Sequence, residues 1–352
     1  MADGARTTRD YGAAVARFRL PSLVDLAVAG VVVAALLVFP PFAAHQPWHN
    51  SFLTYLVAIV LQSTPYLLLG AALGAAVETF VPVHWLPAAA RRLGPWGVPA
   101  VVLLAPLFPV CECGVLGVGR SLLRRGLPLP HVVVYLIAAP ILNPIVIATT
   151  AIAFADPHHA LLRAVGGALI ALVVGGLVSR VSSAWCLRPV LVGFTPLAAT
   201  GAPFAAAATC PAPSGPAWTR WAAVRWCRTS LEHFLELAGW FLVGVAIAAA
   251  LKTFVGTRVL ETLGAGVVSG PATMMATAVV LSLCAEADAF VAASFTGFSV
   301  PALMAFLVIG PMLDLKLLFM YRSLFHTRFV IALAVVLVTL VSLYVAVLTV
   351  IA

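Results

Sequence analysis

The sequence predicts an all-α polytopic membrane protein. It reads as two inverted repeats, each with three spanning helices and a broken re-entrant hairpin, plus an extra N-terminal helix. Three observations carry this. Of 352 residues, 63% are hydrophobic and 9% charged, too little polar surface to cover a soluble globule of that length. An internal echo is the second: Cys113, Gly126, Pro130, Leu136, Pro140 and Leu142 recur 171 positions later as Cys284, Gly297, Pro301, Leu307, Pro311 and Leu313. A second block (Leu68, Gly70, Ala72, Ala76, Thr79, Phe80, Val81) recurs at an offset of 174 as Leu242, Gly244, Ala246, Ala250, Thr253, Phe254 and Val255. Duplication in an apolar chain marks transporters whose binding site forms where the halves meet. The third is the distribution of arginine, taken up below.

Residues 1–20 carry Arg6, Arg9, Arg17 and Arg19 and read as a cytoplasmic arm. The apolar run 23–42 resembles a signal peptide. Its length, Asp25 and the following Pro40 and Pro41 point instead to an uncleaved helix at 21–43. Repeat 1 covers 50–183, with runs long enough to span at 52–80, 131–154 and 161–182 and an interrupted run at 98–119. Repeat 2 covers 231–352, with spans at 231–255, 300–321 and 329–351 and an interrupted run at 266–296. Between them, 184–230 is a cytoplasmic linker rich in Ala, Pro and Gly. Trp218, Trp221 and Trp226, interleaved with Arg220, Arg225 and Arg228, lead interfacially into the next span. A nucleic-acid surface is the alternative for that patch, and its place beside a span argues against it.

Positive charge sets orientation. If the interrupted runs dip in and return, with the N-terminus inside, 16 Lys and Arg residues are cytoplasmic and three (Arg163, Lys252, Arg258) are outside, Lys316 lying within a span. If those runs crossed fully the split would be 11 to 8. The positive-inside bias selects the re-entrant arrangement, which starts repeat 1 outside and repeat 2 inside. The location that follows is the cytoplasmic (inner) membrane, multi-pass.

The first hairpin reads Leu107-Phe108-Pro109-Val110-Cys111-Glu112-Cys113-Gly114, with Pro106 and Pro109 breaking the helix and Gly114 placed for the turn. Thiolates select soft metals, and by the same softness suit trivalent arsenic. Cysteines also serve as small apolar packing residues. A carboxylate at membrane depth costs about 2.5 kcal/mol or more, so Glu112 weighs toward function. The second hairpin holds Cys284, Glu286 and Asp288. On a helix the two acids diverge by roughly 200° and need not share a ligand; an ion pair with Lys316 or an arginine is the alternative role. Cys111, Cys113, Cys284 and Glu112 form the candidate metal-binding set. Asn143 and Asp314 fall at equivalent places after the hairpins, in Pro140-Ile141-Leu142-Asn143-Pro144 and Pro311-Met312-Leu313-Asp314-Leu315-Lys316. There the Asn or Asp oxygen can ligate a cation or receive a proton, and Asp314 with Lys316 is the candidate coupling pair. A static pair between them is the other reading.

The six cysteines (111, 113, 186, 210, 227 and 284) lack the spacing of a disulfide framework. Asp156, His158 and His159 fall in an expected external loop, and the remaining six histidines show no ligand spacing. No H-E-x-x-H, Walker loop or G-x-S-x-G occurs, so a zincin, ATPase subunit or serine hydrolase finds no support, and no cofactor is called for.

The segments P-V-C-E-C-G-V-L-G-V-G-R-S-L-L-R-R-G-L-P, Y-L-I-A-A-P-I-L-N-P, S-L-C-A-E-A-D-A-F-V-A and G-P-M-L-D-L-K resemble the predicted permease family of the ArsP/YraQ type. The resemblance covers roughly 50–350 and implies a permease, since the family includes exporters of trivalent organoarsenicals. Those exporters carry a small polar residue between the two cysteines. Glu112 instead resembles a branch similar to zinc-homeostasis permeases that work beside a separately encoded membrane partner. The expectation is a secondary permease, not an enzyme, for a thiol-seeking metal or metalloid species such as zinc or a trivalent (organo)arsenical. Its surroundings are the bilayer and that partner, with no nucleic acid. The alternative is a membrane-embedded thiol enzyme or assembly factor acting with a membrane partner.

Overall fold

Proline and polar residues cut the apolar runs into helices whose ends fall inside the bundle. The computed structural model describes residues 47–82, 85–107, 110–181, 186, 217–254, 269–295 and 297–351. The arm 1–20, the helix expected at 21–43 and most of the linker 184–230 lie outside the described residues. Among the described residues the chain is helical, with no strand.

In the first half, α1 (Pro47–Phe80) runs through Pro65, followed by the short α2 (Trp85–Leu93) and α3 (Gly97–Leu104). Then come α4 (Glu112–Arg124), α5 (Leu129–Leu142), α6 (Pro144–Phe154) and α7 (Pro157–Val178). The second half holds α8 (Ala217–Phe254), α9 (Ser269–Leu281), α10 (Ala285–Ser294), α11 (Val300–Met312), α12 (Leu315–Leu324) and α13 (Thr327–Ile351), with no described counterpart of α2. Residues 217–230 of the expected linker are thus the first turns of α8. His158 and His159, expected in a loop, belong to the first turn of α7: the Asp156 carboxylate accepts from the His158 N–H at 2.9 Å and caps the helix there.

Among the described residues, six stretches are long and apolar enough to cross a membrane: Ser51–Phe80, Leu129–Phe154, Pro157–Val178, Ala222–Thr253, Val300–Leu324 and Thr327–Val350. They match the six spans expected after residue 50. Two of them are each a pair of helices, α5 with α6 and α11 with α12, and these are the most buried, at 67% and 83% against 28–44% for the others. The reason is physical. Interrupted backbone is tolerated at membrane depth only where protein or water satisfies it, so the broken spans sit centrally and the unbroken ones face outward.

Equivalent elements pack on one another across the halves: α1 on α8, α5 on α11, and α7 on α13. The hairpin helices cross over, α4 lying against α12 of the second half and α10 against α6 of the first. Close approach needs glycine at two of these contacts. A Cβ on Gly70 of α1 would overlap the Gly114 backbone of α4, and one on Gly244 of α8 would come within 2.8 Å of the Lys316 Cα. Gly114 therefore does not make the hairpin turn expected of it: it lies inside α4 and serves as a packing surface for α1. Arg163, counted above as an external charge, is 1% exposed inside the bundle, and Arg120, counted as cytoplasmic, is 7% exposed. Both report packing rather than sidedness.

Candidate functional site

Four helices begin inside the bundle, and the sequence explains each start. Prolines precede α4, where Cys111 is extended (φ −75°, ψ 173°) and its carbonyl accepts from the N–H groups of Gly114 and Val115. Cys284 plays the same part for α10 (φ −76°, ψ 146°), its carbonyl accepting from Ala287 and Asp288. Asn143 Oδ1 caps α6 by accepting from Ile145 N–H at 3.0 Å. Asp314 Oδ1 caps α12 by accepting from Leu317 N–H at 2.6 Å. Asn143 and Asp314 thus both cap the helix that follows them. For the cysteines the register shifts: by capping, Cys111 rather than Cys113 matches Cys284. Neither cysteine side chain caps its helix.

Cys111, Glu112, Cys113 and Cys284 are all at most 3% exposed. Cys111 and Cys113 flank Glu112 at the start of α4. The Cys284 Sγ lies 4.0 Å from Ser63 Oγ of α1. The carboxylate of Glu112 meets the second half directly, with Lys316 Nζ 2.9 Å from Glu112 Oε1 and 3.1 Å from Asp314 Oδ2. The same ammonium donates to the carbonyls of Ser282 and Leu283, each at 3.1 Å. Those carbonyls are free because α9 ends at Leu281, and a cation suits that helix end. Ser282 itself is left-handed (φ 45°) and its hydroxyl accepts from Leu315 N–H at 3.2 Å. The break in the second hairpin is therefore tied to the start of α12 through one serine.

Glu286 and Asp288 differ in burial. Asp288 is 2% exposed and its Oδ2 fills the space a Cβ on Gly310 would take, while Glu286 is half-buried. Arg163 faces both acids; it donates to Thr150 Oγ1 at 2.8 Å and to the Ala285 carbonyl at 3.3 Å. Asn143 is buried, and its oxygen is used as a cap rather than turned to the thiols. Among the described residues, no group of three or more His, Cys, Asp or Glu side chains is arranged to hold a metal ion.

Two residues of α1 escaped the sequence reading. Tyr66 lies within electrostatic reach of Glu286, Cys111, Cys284 and Glu112, and Ser63, one turn earlier, touches Cys284. Their signal was present: Ser63, Tyr66 and Gly70 recur at helical spacing on an apolar helix. A second polar cluster was also missed. At the C-terminal end of α4, Arg120 pairs with Glu236 of α8, and Arg124 meets Glu78 of α1 (3.4 Å) and His233 of α8 (3.3 Å). His233, 2% exposed, also lies 3.2 Å from Glu78.

A family model described as a predicted permease, ArsP_1, matches residues 48–350. The UPF0718 protein YcgR of Bacillus subtilis (strain 168) is 32% identical over 294 residues, covering 81% of this chain and 92% of that protein. A protein of Streptococcus mutans serotype c named as a putative two-component membrane permease complex subunit is 27% identical over 285 residues, covering 79% and 88%. No solved structure matches. Apolar spans, interrupted helices at their centre and a match running nearly from the first described helix to the last lead to one conclusion: this chain belongs to the ArsP_1 family of predicted permeases.

Proposed function

We propose that this membrane permease is a secondary transporter for a soft, thiol-seeking metal or metalloid species, with zinc and trivalent (organo)arsenicals as the candidate substrates. One observation carries the proposal. Three buried thiols, Cys111, Cys113 and Cys284, lie at the starts of two helices that begin inside the bundle, beside a charge cluster joining the halves. Thiol sulfur is the soft donor that a soft ion selects. In this scheme the three cysteines and Glu112 are ligands, Glu286, Asp288 and Asn143 shape the polarity of the path, and Asp314 with Lys316 couples movement to an ion gradient.

The two halves are proposed to be inverted in the cytoplasmic membrane with the N-terminus inside, supported by the arginine distribution and by equivalent helices packing pairwise. Single cysteines placed beside Arg124 and Arg258 are then labelled from opposite sides, and labelling from one side contradicts the arrangement. A membrane partner is part of the proposal, supported by the relative named as a complex subunit. Metal analysis and flux of the wild type, Glu112→Ser and Cys113→Ser test the ligand set. Loss of zinc or arsenical binding in both variants is expected, and retained affinity in all three proteins rejects it. Flux without covalent turnover also separates transport from thiol chemistry at Cys111 and Cys113.

A further inference from the structure

The ammonium of Lys316 is held by four oxygens drawn from three separate segments. They are Glu112 Oε1 from α4, Asp314 Oδ2 from the start of α12, and the Ser282 and Leu283 carbonyls from the break in the second hairpin, at 2.9 to 3.1 Å. Carboxylates and free carbonyls converging at such depth are the donor set of a cation site in a broken-helix transporter. Charge remains over: two carboxylates face one ammonium, and Glu112 Oε2 is buried without a hydrogen-bond partner. The backbone beneath Lys316 is held, because α8 approaches its Cα so closely that only glycine fits at position 244. What can leave the oxygens with least disturbance is the long lysine side chain itself.

We propose that these four oxygens are a binding site for a small cation, occupied at rest by the protein's own lysine. Lys316 is a tethered competitor: a mobile cation enters when the side chain swings out, and a neutral species leaves the lysine in place. This rests on the preceding view of the cluster as part of a transport site, and it adds that the species, or the coupling ion, that resets the cluster is positively charged. Occupancy by lysine also ties the halves together, since the same ammonium bridges α4 and the second hairpin.

Chemical rescue tests the site without reading metal or flux. Full-length Lys316→Ala, purified in sodium-free buffer, is expected to unfold at a lower Tm than the wild type. Methylammonium is expected to return more than half of that loss saturably and to leave the wild type unchanged. Tetramethylammonium, which is too large and has no N–H donors, is expected to do nothing. Adding Glu112→Gln to Lys316→Ala should abolish the methylammonium effect. Equal responses to the two ammonium ions, or an equal shift in the wild type, overturn the proposal. If Lys316→Ala does not fold alone, recovery of monodisperse protein on extraction into methylammonium is the same test, and no recovery overturns it. Failure of the thiol ligands in flux assays would leave this result standing, so the two ideas fail separately.

Discussion

Glu112 and Lys316, 204 positions apart in sequence, form an ion pair of 2.9 Å with each side chain at most 1% exposed. One belongs to the hairpin of the first half and the other to the broken span of the second, so the pair fastens the halves at their centre.

Removing one member of a buried pair leaves an uncompensated charge, which costs about 3–5 kcal/mol. Lys316→Met is therefore expected to destabilise by that amount in reversible unfolding. The triple variant Glu112→Gln, Asp314→Asn, Lys316→Met, which removes the whole set, is expected to recover most of it. A triple no more stable than the single would show that the ion pair is not the source of the cost.

The charges along α4 and α8 are expected to behave unequally. Glu232 and its partner Arg228 on α8 are both exposed, so Glu232→Ala should cost less than about 1 kcal/mol. Glu78 is more buried and faces both Arg124 and His233, so Glu78→Ala strands two polar groups and should cost about 1–3 kcal/mol. Equal losses in a thermal unfolding comparison would contradict this ordering.

Glycine substitutions separate contact from propensity. Gly70→Ala forces a methyl group into the Gly114 backbone, an overpacking expected to cost about 1–3 kcal/mol. Gly176 of α7 has open space around a would-be Cβ, so Gly176→Ala should gain about 0.5–1 kcal/mol. Unfolding midpoints of the two variants on either side of the wild type are the expected outcome.

Acid sensitivity has a local source outside the spans. The His158 N–H, and then the His159 ring, hold the Asp156 carboxyl below its ordinary range. A depressed carboxyl contributes stability that is present above its unfolded value and lost as pH falls through its folded value. Asp156→Asn keeps a cap but not the charge, so its unfolding should depend less on pH below about 4. Identical acid profiles for the variant and the wild type would contradict it.

Spans and breaks were legible because both are local: hydropathy marks the first, and proline beside cysteine marks the second. Asn143 and Asp314 were found by register, and the structure gives both the same capping role. Partner choice was legible only within a segment, as for Asp314 with Lys316. Nothing near Lys316 names Glu112, because the crossing of α4 over α12 is decided by packing among distant helices. Arg163 looked external because an apolar run follows it; its burial depends on Thr150 and on the Ala285 carbonyl in the other half. The repeat register at the cysteines slipped by two positions because helix starts follow backbone breaks rather than residue identity.

Flux across proteoliposomes under an imposed proton gradient addresses transport at the thiol site most directly. Wild-type protein is expected to move zinc or a trivalent methylarsenical, and Cys113→Ser, which removes a direct ligand, is expected to slow that movement by more than the roughly tenfold that loss of an outer-shell partner costs. Movement of neither species by the wild type, or unchanged flux in Cys113→Ser, would contradict it.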